Sequence, residues 1–297
     1  VLAAIVAGYE VGARIGRALM DPQLARVFRP TGITGPLGAA AAGARLLGLD
    51  AAQTANALAL AANTTGGFNQ WGHTGGSEMY FHPGFAARSG VSAALLAQAG
   101  AFASPTALDG EAGLFASHGK RAAADGVRLF DGAPEILAVY HKPVPACNFA
   151  QTACQAAMRL AQGGQCPIDR IEAITIRVPR AGATYPGCDF RGPYVHVLQA
   201  KMSIQYNVAA ALVMGDVTEA NFDLLEDPRV RRLLAATRLE VDDEMTRAYP
   251  ALQGGAVEVR LVDGASHEVR LADVVNATSQ DVRLRFQAAA EARLGAA

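Results

Sequence analysis

The sequence predicts a mostly α-helical fold, with a large all-helical domain and a smaller α+β domain, on three observations. Residues 1 to about 130 are rich in alanine and follow helical periodicity, and glycines separate the helical segments. Residues 171–178 form a β-branched run that alternates like a strand with at least one buried face. Residues 256–271 carry an Asp-Gly turn between two strand-like runs, which is typical of a β-hairpin.

Two helices of the first part are predicted from the residues at their ends. Thr34 and Pro36 are typical of an N-cap and a first turn, and Gly48 is typical of the end of the same helix. Asp50 followed three residues later by Gln53 is a capping-box variant, which predicts a second helix to about residue 63.

A glycine-rich stretch interrupts the helical pattern between Thr64 and Pro83. It contains Trp71, the only tryptophan of the chain, together with two histidines. A surface loop and a ligand-binding loop are equally good predictions for such a stretch. Helical periodicity returns from Phe85 to Gln98.

After Pro134 the pattern changes to a mixture of helices and strands. The predicted elements are helices at about 149–160, 202–214, 229–236 and 280–294, strands at 171–178 and 238–241, and the hairpin at 256–271. The residues around Lys142 are expected to be extended, because each proline disfavours helix in the residue before it.

Composition excludes several classes of function. The 26 basic and 27 acidic side chains give a net charge of −1, and no basic stripe is present, which argues against nucleic acid and anionic membranes as partners. No apolar run approaches the roughly 18 residues of a membrane span, and the apolar start lacks the flanks of a signal peptide. The four cysteines have no C-x-x-C spacing, which favours a cytoplasmic location.

Motif tests exclude further classes of site. The sequence has no dinucleotide-binding glycine motif, no Walker A loop and no nucleophile elbow. No cluster has the spacing of metal ligands, so we expect no bound metal. The chain also opens in what reads as the middle of a helix, without a capping residue, and we expect the natural N-terminus to lie upstream.

The first candidate site surrounds Arg29 and Thr31. A cation and two hydroxyl groups precede a predicted helix N-terminus there, and free N–H groups at a helix start favour anions such as a carboxylate. The alternative is an ordinary turn and N-cap with Arg29 on the surface.

The second candidate site contains Ser77 and His82, just before the next predicted helix. A histidine here is suited to moving a proton near neutral pH. The alternative is a capping histidine, or one that is satisfied within the core.

The third candidate site combines Lys142, in a proline-stiffened segment, with Tyr206, in an apolar helix. A restrained lysine and a buried hydroxyl that needs a partner favour a site, whereas a surface lysine and a core tyrosine are the alternative. Cys147 and Cys154 are expected to be packing residues rather than nucleophiles.

Together these segments resemble the MmgE/PrpD family, whose members include 2-methylcitrate dehydratase, cis-aconitate decarboxylase and iminodisuccinate epimerase. The resemblance covers almost the whole chain. The matching motifs are Arg29-Pro30-Thr31-Gly32 with Gly35 to Leu47, His82-Pro83-Gly84, Leu108-Asp109-Gly110 with Gly113-Leu114-Phe115, Lys142-Pro143 with Pro145, and Ala200-Lys201-Met202-Ser203 with Tyr206.

The resemblance implies a helical domain over residues 1–134, an α+β lid domain over 135–272 and a C-terminal helix over 273–297 that returns to the helical domain, with the active site in the cleft between the domains. It also implies a homodimer that needs no metal or organic cofactor and acts on a small di- or tricarboxylate. The shared chemistry is proton abstraction next to a carboxylate.

The resemblance also implies roles for the candidate residues. Lys142 would bind a carboxylate and stabilise charge, and Tyr206 would hydrogen-bond or donate a proton. His82 is expected to be catalytic. The remaining substrate-binding candidates are Arg29, Thr31 and Ser77.

Three departures from the family pattern bear on the function. Arg29 stands where members commonly have histidine, Met79 stands where many have lysine, and the N-terminal helices that contribute an Asp and a His are absent from this sequence. A lyase, either a dehydratase or a decarboxylase, is the leading hypothesis. The alternatives are an isomerase or epimerase that uses the same proton abstraction, and a non-catalytic binding protein with an eroded site.

Overall fold

A computed structural model describes residues 1–295 of the chain. Helices dominate, and the strands of this part form one four-stranded mixed sheet, so the mostly α-helical prediction is confirmed. The described residues divide into two compact units. The first comprises Val1–Trp71 and Gly76–Val139, and the second comprises Gly72–Gly75 and the chain from Tyr140 onward.

The first unit is built of α-helices joined by loops and short 3₁₀ segments. Its helices are α1 (Leu2–Leu19), α2 (Leu24–Val27), α3 (Pro30–Leu47), α4 (Ala51–Ala62), the first residue of α5 (Trp71–Thr74), α6 (Glu78–Gln98) and α7 (Leu114–Ser117). Helix α3 lies at the centre and packs against α1, α4 and α6. Small residues such as Ala40 and Ala94, both 0% exposed, let these helices approach closely around Leu37. Full burial of a leucine side chain stabilises a fold by about 2 kcal/mol.

Helix α3 begins four residues earlier than Thr34, the predicted N-cap. Its first residue is Pro30, Arg29 occupies the N-cap position, and Pro36 lies inside the helix. The prediction of this start was wrong because Pro30 is itself suited to the first helical position. The predicted end is confirmed, since Gly48 adopts a left-handed conformation with φ of 68°. The capping box of Asp50 and Gln53 is also confirmed.

Helix α6 also begins earlier than the sequence predicts. It starts at Glu78, so His82 and Pro83 lie within it and not in front of it. Pro83 is the sixth residue of this helix, beyond the four positions whose N–H groups have no partner within a helix, so it removes one backbone hydrogen bond from α6. Because α6 starts at Glu78, the backbone of His82 is helical.

The second unit carries the sheet. Its elements are the rest of α5, α8 (Gln151–Gln162), β1 (Ile171–Val178), α9 (Arg180–Ala183), α10 (Val197–Met202), α11 (Ile204–Met214), α12 (Pro228–Ala235), β2 (Thr237–Val241), α13 (Asp243–Ala248), β3 (Gly255–Leu261), β4 (Ser266–Leu271) and α14 (Ser279–Leu294). The predicted elements are present, with the helix expected from residue 202 beginning at Ile204, whereas α9, α10 and α13 were not predicted.

The sheet has the strand order β2-β1-β3-β4. Strand β1 pairs in parallel with β2 and antiparallel with β3, which forms the predicted hairpin with β4. Ile174 and Ile176 are buried, and α8 packs against β3 and β4. Arg177, which points to the other face, forms an ion pair with Glu258 at 2.8 Å. One face of the sheet is therefore apolar and the other is charged, as is common in sheets with antiparallel pairs.

Helix α14 belongs to the second unit by its contacts. Its return to the helical domain, and the lid role of the second unit, stay predictions.

Candidate active site

The backbone next to Arg29 is paired with the glycine-rich loop that follows α4. Arg29 donates its backbone N–H to Gly67 at 2.9 Å, and Gly66 donates to the Gly32 carbonyl at 3.1 Å. A Cβ atom on Gly32 would lie 1.9 Å from the Gly66 carbonyl oxygen, so only glycine fits there. The loop is thereby held against the start of α3.

The side chain of Arg29 is half-buried and lies in an unusual environment. Its guanidinium carbon lies 5.4 Å from the ring centre of Trp71, and Nη2 lies 3.8 Å from the Met79 sulfur. The Nε atom is buried and has no hydrogen-bond partner among residues 1–295. A buried guanidinium N–H without an acceptor is costly, and such a group in a native protein calls for an explanation.

The imidazole of His82 lies close to the same place. His82 is 8% exposed, and an added Cβ on Gly67 would lie 3.5 Å from its ring. Its Nδ1 atom is buried and, within the described part of the chain, has no hydrogen-bond partner. Burial lowers the pKa of His82 below its usual value, the positive charge of Arg29 lowers it further, and Glu78 opposes both effects.

Arg29 and His82 therefore form a pair with two unsatisfied buried nitrogens, which we call the Arg29–His82 pair. A guanidinium is always charged, whereas an imidazole with a lowered pKa is neutral near pH 7. A carboxylate would accept a hydrogen bond from Nε of Arg29. A neutral imidazole beside it has one ring nitrogen able to accept a proton.

Thr31 and Ser77 occupy less distinctive positions. Thr31 is half-buried in the first turn of α3, and Ser77 is an exposed residue in front of α6 whose hydroxyl does not cap the helix. Their substrate-binding roles stay predictions.

Lys142 lies in the second unit, on a segment that Gln151 holds in place. The Gln151 carboxamide is 0% exposed; it accepts from the Val144 N–H at 3.1 Å and donates to the Val144 and Ala146 carbonyls at 3.0 Å. The Lys142 ammonium donates to the Ala146 carbonyl at 3.2 Å. The predicted restraint of this segment thus comes from a buried glutamine as well as from the prolines.

Two thiols lie beside this segment. The sulfur atoms of Cys147 and Cys188 are 3.4 Å apart and both residues are buried. Burial raises the pKa of the Cys188 thiol, and it also raises the pKa of Cys154. A raised pKa leaves little reactive thiolate, which supports packing roles.

Tyr206 is 0% exposed in the second unit. Its hydroxyl donates to the Asn221 carbonyl at 2.6 Å, and its ring meets Tyr194 edge to face at 5.1 Å between centroids. Burial raises the pKa of its phenol. The proton-donating role implied by the family resemblance stays a prediction, whereas these contacts support the alternative of a core tyrosine.

Two buried residues near Arg29, Trp71 and Asn69, were not predicted to belong to a site. The indole N–H of Trp71 donates to the Asn69 side chain at 2.9 Å, and both residues are 1% exposed. Trp71 was noticed only as the single tryptophan in a glycine-rich stretch, and Asn69 carried no signal. The role of such a loop residue can be inferred only once its contacts in the structure are known.

Among residues 1–295 no group of three or more His, Cys, Asp or Glu side chains is arranged to hold a metal ion. None of the helices in that range combines the length and the apolar character needed to span a bilayer.

Comparison with known proteins gives matches along most of the chain. The MmgE/PrpD N-terminal domain matches residues 1–125, and the MmgE/PrpD C-terminal domain matches residues 144–294. Human cis-aconitate decarboxylase is 28% identical over 275 residues, and the mouse protein of the same name is 26% identical over 284 residues. These alignments cover 89% and 91% of this chain. The cis-aconitate decarboxylase-like protein oryM of Aspergillus oryzae is 37% identical over 100 residues, which are 33% of this chain and 20% of that protein.

The chain spans 56% of the length of the human and mouse relatives. The two domain matches follow one another in the order of the chain and together cover most of it. This chain belongs to the MmgE/PrpD family.

Proposed function

We propose that the protein is a lyase that acts on a small di- or tricarboxylate. In a dehydration it removes a proton next to a carboxylate, and the hydroxyl group takes up a proton and leaves as water; in a decarboxylation carbon dioxide leaves and a proton takes its place on the carbon skeleton. Family membership and the names of the human and mouse relatives support a lyase of this kind. The observation that carries the proposal furthest is the Arg29–His82 pair, with its two buried and unsatisfied nitrogens.

Arg29 would bind one carboxylate of the substrate. Its Nε–H is the donor without an acceptor, and a charge-assisted bond from arginine to a carboxylate is about twice as strong as a neutral hydrogen bond. Met79 is the neighbour best able to change conformation and admit the carboxylate, because its side chain is unbranched and flexible. The cation would also stabilise negative charge that develops on the same carboxylate after proton loss.

His82 would take the proton. The lowered pKa keeps the imidazole neutral near pH 7, which is the state that a general base requires. A base works best where the carbon that loses the proton is bonded to a carboxylate held by a cation, because the resulting charge is then spread over stabilised oxygens.

Lys142 would stabilise charge on a second carboxylate. Its segment is restrained by Gln151, so the ammonium loses less conformational freedom on binding than a lysine on a mobile loop. That Lys142 and His82 serve one reaction stays a prediction. The test compares the turnover of a double variant at Lys142 and His82 with the turnover of each single variant.

Incubation of the full-length protein in deuterated water tests the proposal. cis-Aconitate is the first substrate to try, followed by saturated and hydroxylated di- and tricarboxylates. We expect release of carbon dioxide or water together with deuterium uptake next to a carboxylate. Deuterium uptake without either product would show an isomerase or epimerase. Binding of polycarboxylates with no exchange at all would contradict the proposal and favour a non-catalytic binding protein.

A further inference from the structure

We propose that Trp71 and Asn69 are positioning residues for Arg29, which fix its guanidinium where a carboxylate can reach it. The part of this inference that concerns the carboxylate rests on the proposed function. The part that concerns the position of the guanidinium rests on the contacts alone.

Trp71 provides the surface on which the guanidinium lies. The guanidinium carbon is 5.4 Å from the centre of the indole, within the range of a cation–π interaction. Such a contact attracts the cation without using any of its N–H donors. The guanidinium is therefore held while Nε, which has no acceptor among residues 1–295, keeps its hydrogen for a ligand. A carboxylate in place of the indole would hold Arg29 equally well, but it would occupy those donors.

Asn69 fixes the plane of the indole and the start of the segment that carries Arg29. Its Oδ1 accepts from the indole N–H at 2.9 Å. Its Nδ2 donates to the Ala25 carbonyl at 2.6 Å and to the Phe28 carbonyl at 3.1 Å. One buried carboxamide thus joins the ring to the backbone that directly precedes Arg29. Neither Trp71 nor Asn69 needs to touch a substrate for this role.

The pKa of His82 reports where the guanidinium lies, since the charge of Arg29 lowers it. It can be measured by NMR titration of the imidazole signals without any ligand, with His82→Gln used for assignment. Arg29→Gln removes the charge, and we expect it to raise the pKa of His82. Trp71→Leu removes the aromatic surface, and we expect it to give most of that rise. Trp71→Phe keeps a ring but loses the N–H, and Asn69→Ala loses its acceptor, so both should give smaller rises.

A double variant separates positioning from general damage to the fold. Trp71→Leu should add nothing to the pKa of His82 once Arg29→Gln is present, because the charge whose position it controls is gone. Phe115→Leu is the matched control, since Phe115 is another fully buried aromatic residue of the first unit. It should lower the melting temperature and leave the pKa of His82 unchanged. Should Trp71→Leu fail to fold, Asn69→Ala gives the same comparison.

A second readout tests the link to binding. We expect Trp71→Leu to raise KM for cis-aconitate about tenfold or more and also to lower kcat, because Arg29 would both bind the carboxylate and stabilise the charge that develops on it. If Trp71→Leu and Asn69→Ala both leave the pKa of His82 at the wild-type value while Arg29→Gln raises it, the inference is overturned. If instead the pKa values move as expected but the wild-type protein acts on no polycarboxylate, the positioning role stands and the proposed function fails.

Discussion

His82 belongs to α6 and Arg29 is the N-cap residue of α3, and both contact the loop at Gly67. Arg29 hydrogen-bonds that glycine through its backbone, and the ring of His82 lies against it. Burial lowers the pKa of His82, and the charge of Arg29 lowers it further. Two groups that repel each other when both are charged are thus kept together, with one of them neutral. An anion that binds between them would relieve this repulsion.

Arg29→Lys should weaken polycarboxylate binding although it keeps the positive charge. Lysine has no Nε–H at the position that lacks an acceptor, and its ammonium is a more strongly hydrated point charge. We expect affinity for propane-1,2,3-tricarboxylate, a saturated analogue, to fall about tenfold, which is about 1.4 kcal/mol. Calorimetric titration measures this, with Arg88→Lys, an exposed arginine of α6, as the control. Equal affinities for Arg29→Lys and wild type would remove Arg29 from the binding site.

The stability of the protein should depend on His82 below pH 7. Its folded-state pKa is lowered, so the unfolded chain binds a proton near pH 6.5 that the folded protein does not bind. The free energy of unfolding should therefore decrease as the pH falls below about 7, until the lowered folded-state pKa is reached. His82→Gln should flatten this part of the curve in chemical denaturation.

His73, an exposed histidine, provides the control for this measurement. His73→Gln should keep the wild-type pH dependence. A His82→Gln variant with an unchanged curve would show that the imidazole of His82 titrates normally.

Lys142→Ala should lower turnover by orders of magnitude and leave the melting temperature nearly unchanged. The ammonium donates at 3.2 Å to the Ala146 carbonyl, which also accepts from Gln151, so that carbonyl keeps a donor when the lysine is truncated. Steady-state kinetics measures the turnover, and thermal unfolding measures the melting temperature. Lys120→Ala, which breaks an ion pair with Asp21, is the control. A large loss of stability with intact turnover would make Lys142 a structural residue.

Tyr206→Phe should act on stability more than on turnover. It leaves the buried Asn221 carbonyl without its 2.6 Å donor, at a cost of about 1–2 kcal/mol in the free energy of unfolding. Because the hydroxyl is already engaged, we expect kcat to change less than about threefold. Loss of turnover by orders of magnitude at unchanged stability would restore the proton-donating role of Tyr206.

Much of the fold could be predicted because its signals are local. The capping box of Asp50, the left-handed Gly48 and the Asp263-Gly264 turn each depend on a few neighbouring residues, and all are present in the structure. The start of α3 was misplaced because Pro30 fits the first helical position as well as it fits a loop. The start of α6 was misplaced because Pro83, a residue type that usually interrupts a helix, lies inside this one.

The candidate site was only partly predictable because its properties depend on contacts distant in sequence. Arg29 and His82 were candidates from their motifs, but their proximity depends on the loop at Gly67. No periodicity in the sequence predicts where that loop lies. Burial of Tyr206 was one of two open alternatives, and its bond to Asn221 was needed to favour one. Asn69 acts through Trp71 and through backbone carbonyls, which leave no pattern in the sequence.

The affinity of propane-1,2,3-tricarboxylate across the cycle of wild type, Arg29→Gln, His82→Gln and the double variant tests most directly whether the two residues contact one bound ligand. We predict that each single variant loses about tenfold or more in affinity, and that the double variant loses clearly less than the product of the two losses. Losses that multiply fully, or an affinity that neither single variant changes, would contradict a shared site.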